Sequence, residues 1–247
     1  MASDTSASNP SPVPSDVKER LKASYDIIAP KYSAWTLQHP AQRLEYLDKI
    51  LALLPLSDPP SRPLRILELG CGPGLPVTRK LLSYPTVRVT ANDISTVQIE
   101  LARANLLGAA TEGNSGDAER EEEERLTLVE GDMAKLAFPD GSFDAVVAFY
   151  SLIHLPRAEQ TEMIGKIARW LKPGGYLLAN FAEGEAEAVV MEKWLDEKGW
   201  AFWSGWGKEE TLRIIGEAGL QVVVGEVTGD VVDASFLWVI AKQKNNQ

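Results

Sequence analysis

Short runs of consecutive apolar residues alternate along this chain with stretches in which apolar positions recur every three or four residues. The runs are Leu64 to Leu69, Val87 to Asn92, Leu126 to Val129, Phe143 to Phe149 and the stretch that follows Leu171. Short runs this rich in apolar residues predict strands covered on both faces. The helical spacing falls at Pro76 to Leu82, Thr96 to Leu107, Ala158 to Leu171 and Lys208 to Ala218, and earlier at residues 16 to 29 and 40 to 54, where Leu44, Leu47, Leu51 and Leu54 share a face. Strands alternating with helices predict a parallel sheet joined by right-handed crossovers, a doubly wound α/β unit. The end differs: Gln221 to Val227 and Ala234 to Ala241 are separated by six residues, too few for a crossover helix, so they must pair antiparallel. A further helix is predicted over Ala186 to Lys198.

The first apolar run ends in Glu68-Leu69-Gly70-Cys71-Gly72-Pro73-Gly74, a carboxylate followed by three glycines at alternate positions. Glycines so placed let a ligand lie against bare backbone. In dinucleotide-binding folds the comparable turn is G-x-G-x-x-G and faces a pyrophosphate. Here Glu68 places negative charge where a diphosphate would be repelled and a cationic group welcomed. Asp93 closes the second run 19 residues beyond Gly74, the spacing of a carboxylate that accepts from vicinal ribose hydroxyls. The third run leads into Glu130-Gly131-Asp132-Met133, and Leu171-Lys172-Pro173-Gly174-Gly175-Tyr176 reads as a helix end, a turn and a fifth strand.

This succession resembles the class I S-adenosylmethionine (SAM)-dependent methyltransferases. The resemblance implies a Rossmann-like doubly wound seven-stranded sheet of order 3-2-1-4-5-7-6, with strand 7 antiparallel. It implies SAM as methyl donor and S-adenosylhomocysteine (SAH) as product. The cofactor residues would be Glu68, Gly70, Cys71, Gly72, Gly74, Asp93, Ile94, Asp132, Met133 and Phe149, with Asp132 accepting from the adenine amino group. Tyr25-Asp26-Ile27-Ile28-Ala29-Pro30-Lys31-Tyr32 resembles the segment preceding the glycine turn in methyltransferases of the ubiquinone-biosynthesis type, where it forms a helical lid over SAM. Tyr25 and Tyr32 would then lie near the sulfonium, which aromatic faces favour by about 0.5 to 2 kcal/mol. The other reading makes Tyr25, Tyr32 and Trp35 anchors of that helix on the core.

The organisation that follows is a disordered polar tail (1–15), a helical lid (16–57) and a SAM-binding domain (58–247) carrying an acidic insertion at 108–125. The net charge of −10 and the absence of a basic stripe argue against nucleic acid. No apolar run approaches the ~20 residues of a membrane span, and no metal-ligating cluster is visible. Cys71 is the one cysteine, so there is no disulfide framework. The expectation is a cytoplasmic monomer or homodimer with a small-molecule acceptor.

Methyl transfer is an in-line displacement that positioning and desolvation can accelerate, with a base needed only for a protonated acceptor. The two histidines are His39 and His154. His154, just after the fourth strand at the carboxyl edge, could serve as that base; the alternative is helix capping or cofactor packing. His39, Trp35 and Tyr150 are candidate contacts of the acceptor. Phe202-Trp203-Ser204-Gly205-Trp206 suggests a flexible pocket wall for a flat or apolar molecule, with Trp203 and Trp206 facing it, against a reading as core packing. The expected activity is methyl transfer to oxygen, nitrogen or sulfur of a small metabolite. A SAM-fold protein that catalyses rearrangement or serves as a binding partner is the alternative.

Overall fold

In the computed structural model, residues 13–56, 62–107, 124–229 and 234–244 are described. Residues 1–12 of the tail expected over 1–15, and 108–123 of the acidic insertion expected over 108–125, lie outside them. Val13, within the expected tail, packs against the cluster formed by Val17, Leu21, Trp200 and Phe202.

Among the described residues nine strands form: β1 (Leu64–Leu69), β2 (Val87–Asp93), β3 (Leu126–Glu130), β4 (Phe143–Ala148), β5 (Leu171–Ala182), β6 (Glu185–Glu192), β7 (Trp200–Trp206), β8 (Leu220–Gly229) and β9 (Ser235–Gln243). The helices are α1 (Val17–Gln38), α2 (Ala41–Leu51), α3 (Val77–Leu82), α4 (Thr96–Leu107), α5 (Arg157–Trp170) and α6 (Lys208–Glu217). Seven strands make one sheet in the order β3-β2-β1-β4-β5-β9-β8, parallel except that β9 runs antiparallel to both neighbours. This is the expected seven-stranded order, with β8 and β9 in the places of strands 6 and 7.

The strands are apolar at successive positions because both faces are covered. On one face Ile66, Ala145, Val147, Trp238 and Ile240 meet Leu47, Leu81 and Ala102 of α2, α3 and α4. On the other, Leu67, Leu69, Val146, Leu237 and Val239 meet Ile164, Ile167, Ile214 and Ile215 of α5 and α6.

Two predicted elements differ. The first helix was expected to stop before Pro30, but α1 continues to Gln38. Pro30 removes one helical donor, a cost of order 3 kcal/mol in a helix interior. Burial of Ile28 and Ala29 and the ring contacts of Tyr32 and Trp35 offset it. The helix expected over Ala186 to Lys198 is instead strand β6, paired antiparallel with β7. Helix propensity is a weak prior. The aromatic strand β7 buries Trp200 and Phe202 against α1, and its free edge takes Val189 to Glu192 as partners. The stretch expected to be a flexible pocket wall is thereby a paired strand.

The amino edge of the sheet is held by one carboxylate. Asp144 at the start of β4 accepts from both Arg62 Nη atoms (2.6 and 3.0 Å), Arg65 N–H (2.9 Å) and Lys172 Nζ (2.8 Å). Burial would raise its pKa, but these donors outweigh burial and hold it below the ordinary value. A depressed carboxylate stabilises the fold above the unfolded-state pKa, ~3.9, and loses that contribution as the pH falls below it. Asp144→Asn should therefore cost about 2 to 3 kcal/mol in urea denaturation at pH 7 and much less at pH 3.

Candidate functional site

At the end of β1 the chain turns through Gly70, Gly72 and Gly74, with φ of +75°, +54° and +74°. That region is open to glycine and strained for other residues. A Cβ on Gly70 would lie 2.4 Å from Ser151 Cβ, and one on Gly74 2.7 Å from Leu106 Cδ1. Gly74 therefore serves the packing of α4, outside the cavity wall. A Cβ on Gly72 would meet only ordinary contacts, the Tyr32 ring at 3.7 Å and Gln98 Oε1 at 4.0 Å. Gly70 and Cys71 donate their N–H groups to Asn92 O (2.8 and 2.9 Å), and Gly72 N–H donates to Asp93 Oδ2 (2.9 Å). Asp93 Oδ1 accepts from Ser95 N–H. Burial pushes Asp93 up to about 6 despite these donors.

A cavity of about 70 Å³ opens above this turn. Gly70, Gly72, Asp93, Ile94, Asp132, Met133 and Phe149 line it, and Tyr25, Tyr32 and His154 close it. Glu68 and Cys71 do not reach its wall. Glu68 is buried on the other side of the turn, where it accepts from Thr78 Oγ1 (2.6 Å), and burial pushes its pKa up to about 8. Cys71 packs into the core and burial pushes its thiol well up. The strand's pleat sends Glu68 towards α3, so its charge cannot meet a ligand in the cavity directly.

Gln98 also lines the cavity, fully buried, and both its amide atoms lack a partner. Ser95 caps α4 by accepting from Gln98 N–H (3.1 Å). In a capping box the Gln98 side chain would reach back to Ser95 N–H. Asp93 already holds that donor, which leaves the Gln98 amide facing the cavity.

Helix α1 lies over the cavity and is clamped by lysines. Lys18 pairs with Asp132 (2.7 Å) and Glu159 (2.5 Å). Lys22 pairs with Glu130 (3.0 Å) and donates to Ile94 O (3.1 Å). Asp132 thus bonds Lys18 with one oxygen and Ala134 N–H with the other.

A second cavity, of about 410 Å³, adjoins the first. Tyr25, Tyr32, Tyr150 and His154 line both, while Trp35, Trp194, Trp203 and Phe236 line the second alone. The rings interlock: Tyr25 meets Tyr32 at 5.4 Å and Trp194 at 5.6 Å, and Trp194 meets Trp203 at 5.8 Å. Tyr150 has φ of +52°, a conformation that a side-chain-bearing residue adopts at a cost, and its N–H donates to the buried Asn180 Oδ1 (2.7 Å). Two expected acceptor contacts fall elsewhere. Trp206 donates its indole N–H to Arg157 O (3.0 Å), because alternation along β7 turns it towards α5. His39 bonds Trp35 O (3.0 Å) at the end of α1.

His154 lies half-buried between the cavities. Its Nδ1 lies 2.7 Å from Phe202 O and its Nε2 2.8 Å from Tyr25 Oη. A carbonyl only accepts, so Nδ1 carries the proton and Nε2 accepts from the tyrosine. Both nitrogens are engaged, and Nε2 becomes free to take a proton only when Tyr25 withdraws.

Arg43, Gln98, Lys18, Trp194 and Asn180 were not singled out from the sequence. The Ser95 to Gln98 spacing of a capping box was the only local signal for Gln98, and the tryptophan-rich stretch for Trp194. The others are brought to the site by packing alone.

Comparison with known proteins comes down to one family. A family model described as a methyltransferase domain matches residues 66–175. The ubiquinone/menaquinone biosynthesis C-methyltransferase of Pseudomonas savastanoi pv. phaseolicola is 30 % identical over 161 residues, covering 62 % of this chain and 57 % of the relative. Matches to curated relatives span from about a quarter to just over half of their length, 26 to 57 %. Among solved structures, the Burkholderia thailandensis 1,6-didemethyltoxoflavin-N1-methyltransferase, with its acceptor and SAH bound, shares the fold with a TM-score of 0.69 at 17 % identity, over 96 % of this chain and 93 % of that one. A [4+2]-cyclase shares it with a TM-score of 0.68 at 19 % identity, over 96 % and 98 %.

Burial lowers the His154 pKa to about 4, although the Phe202 carbonyl opposes this. The unfolded chain takes up a proton near pH 6.5 that the folded chain refuses until about pH 4. The stability His154 confers is complete above pH 6.5 and is lost as the pH falls through that window, at about 1.4 kcal/mol per pH unit. His154→Gln should flatten this slope when thermal unfolding of wild type and variant is compared from pH 7 to 4.

Proposed function

We propose that this chain, which belongs to the class I SAM-dependent methyltransferases, transfers a methyl group from SAM to a nucleophilic oxygen, nitrogen or sulfur of a small molecule seated in the aromatic cavity. The observation that carries this reading is the pair of adjoining cavities. One is built on the glycine turn and polar strand ends, the other on aromatic rings, and four side chains line both. A donor in the first and an acceptor in the second would meet at Tyr25, Tyr32, Tyr150 and His154.

The residues present fit SAM. The bare face of Gly72 leaves room for a ligand, Asp93 offers a buried carboxylate and Gln98 an amide without a partner. Asp93 would hold the ribose hydroxyls, while Ile94, Met133 and Phe149 would flank the adenine and Asp132 its amino group. When bound, SAM supplies an electrophilic methyl group on a sulfonium. Glu68 acts through Thr78 and the turn. Helix α1 would close over the bound nucleoside, held by the Lys18 and Lys22 pairs. Closure excludes water and orients the acceptor, which is where most of the acceleration is placed. With Nε2 of His154 occupied by Tyr25, this histidine acts first as a positioning residue, and as a base only for acceptors that displace the tyrosine hydroxyl.

Among the described residues no helix is long and apolar enough to cross a membrane. A cytoplasmic monomer or homodimer working on a small metabolite completes the proposal.

Calorimetry with SAH tests the cofactor site: Asp93→Ala should weaken binding by about 1.5 to 3 kcal/mol and Gln98→Ala by about 1 kcal/mol. Unchanged affinity in Asp93→Ala would remove the ribose assignment. Incubation of the chain with methyl-labelled SAM and a metabolite extract should place label in a small molecule. A rearranged but unlabelled product would favour a SAM-fold catalyst of the cyclase kind instead.

A further inference from the structure

Arg43, on α2, is 6 % exposed and lies in the wall of the aromatic cavity. Its Nη1 donates to His39 O (3.2 Å), and its guanidinium carbon sits 4.3 Å from the centre of the Tyr150 ring. Among the described residues it has no carboxylate partner. Lys18, on the neighbouring cavity, is paired with two carboxylates at 2.5 and 2.7 Å. No acidic side chain stands among the described residues that line the Arg43 cavity. A guanidinium carries five N–H donors in a planar fork, and one reaches the His39 carbonyl. Burying such a charge without a counterion is costly, and an aromatic face recovers only part of that cost.

We infer that the acceptor is a planar aromatic carboxylic acid whose carboxylate pairs with Arg43 while its ring lies among Trp35, Trp194, Trp203 and Phe236. This rests on the reading of the second cavity as the acceptor site. The geometry of the fork matches a carboxylate through two parallel bonds. One guanidinium among the described residues of a mostly aromatic wall suits a single negative charge. A phosphate monoester, with close to two charges, would keep one uncompensated. The cavity, of about 410 Å³, is within the range of small-molecule sites.

The probes are 2-naphthoate and its neutral isostere 2-naphthamide, titrated by quenching of tryptophan fluorescence, with SAH affinity measured on the same samples. Wild type should bind the acid at least tenfold more tightly than the amide. Arg43→Gln should weaken the acid at least tenfold and leave the amide within twofold, and Arg43→Lys should restore part of the preference. Equal affinity of wild type for acid and amide overturns the inference, as does failure of the acid to bind or a preference that survives Arg43→Gln. The wild-type comparison decides the matter even if the variants do not fold. SAH binding without a preference for the acid sinks this inference alone. A preference for the acid without SAH binding sinks the methyl-donor reading and leaves Arg43 as an anion site.

Discussion

The carboxyl end of β2 is where the site is fixed. The Asn92 carbonyl takes the N–H groups of Gly70 and Cys71, and its side-chain amide donates to Val129 O and Gly131 O. The next residue, Asp93, accepts from Gly131 N–H with its carbonyl and from Gly72 and Ser95 N–H with its carboxylate. Two adjacent residues thus tie together the turn after β1, the turn after β3 and the start of α4. Buried polar groups of this kind stabilise only when every partner is in place. Two amides here keep atoms without a partner among the described residues, Asn92 at Oδ1 and Gln98 at both amide atoms, and the latter follows from Asp93 having taken the capping donor.

Against this floor stands a cover held by a different kind of interaction. Helix α1 is attached by Lys18 and Lys22 to carboxylates at the strand ends, and by Asp26 accepting from Ser95 Oγ (2.6 Å) and Val97 N–H (3.2 Å) at the start of α4. Partly exposed ion pairs contribute little each and rearrange readily. A backbone network below and ion pairs above suit a site whose floor stays fixed while its cover moves. The Tyr25 to His154 hydrogen bond joins the two.

The two cavities differ in how they treat charge. The first compensates its charges internally, Asp93 with backbone donors and Asp132 with Lys18. The second is walled by rings and holds Arg43 with a carbonyl and an aromatic face as its partners. Among the described residues no carboxylate pairs with this buried arginine, in a chain whose net charge is −10.

The doubly wound sheet, its antiparallel last strand, the glycine turn and Asp93 were all legible in the sequence. Each is a local consequence: an apolar run too short for a helix, a connection too short for a crossover, glycines where φ is positive, an acid at a strand end. What the sequence could not give was any property set by distant neighbours. The segment from Ala186 to Lys198 reads as a helix, yet Glu185–Glu192 becomes a strand because β7 offers an edge. Glu68 reads as a ligand-facing charge and turns away because the pleat points it at Thr78. Nothing near Arg43 in the chain marks it as buried. Its place in the wall is marked by the Tyr150 ring at the end of β4, which it faces, with Trp35 of α1 and Phe236 of β9 lining the same cavity. Backbone conformation is written residue by residue, whereas burial and the pairing of charges arise only when remote segments meet.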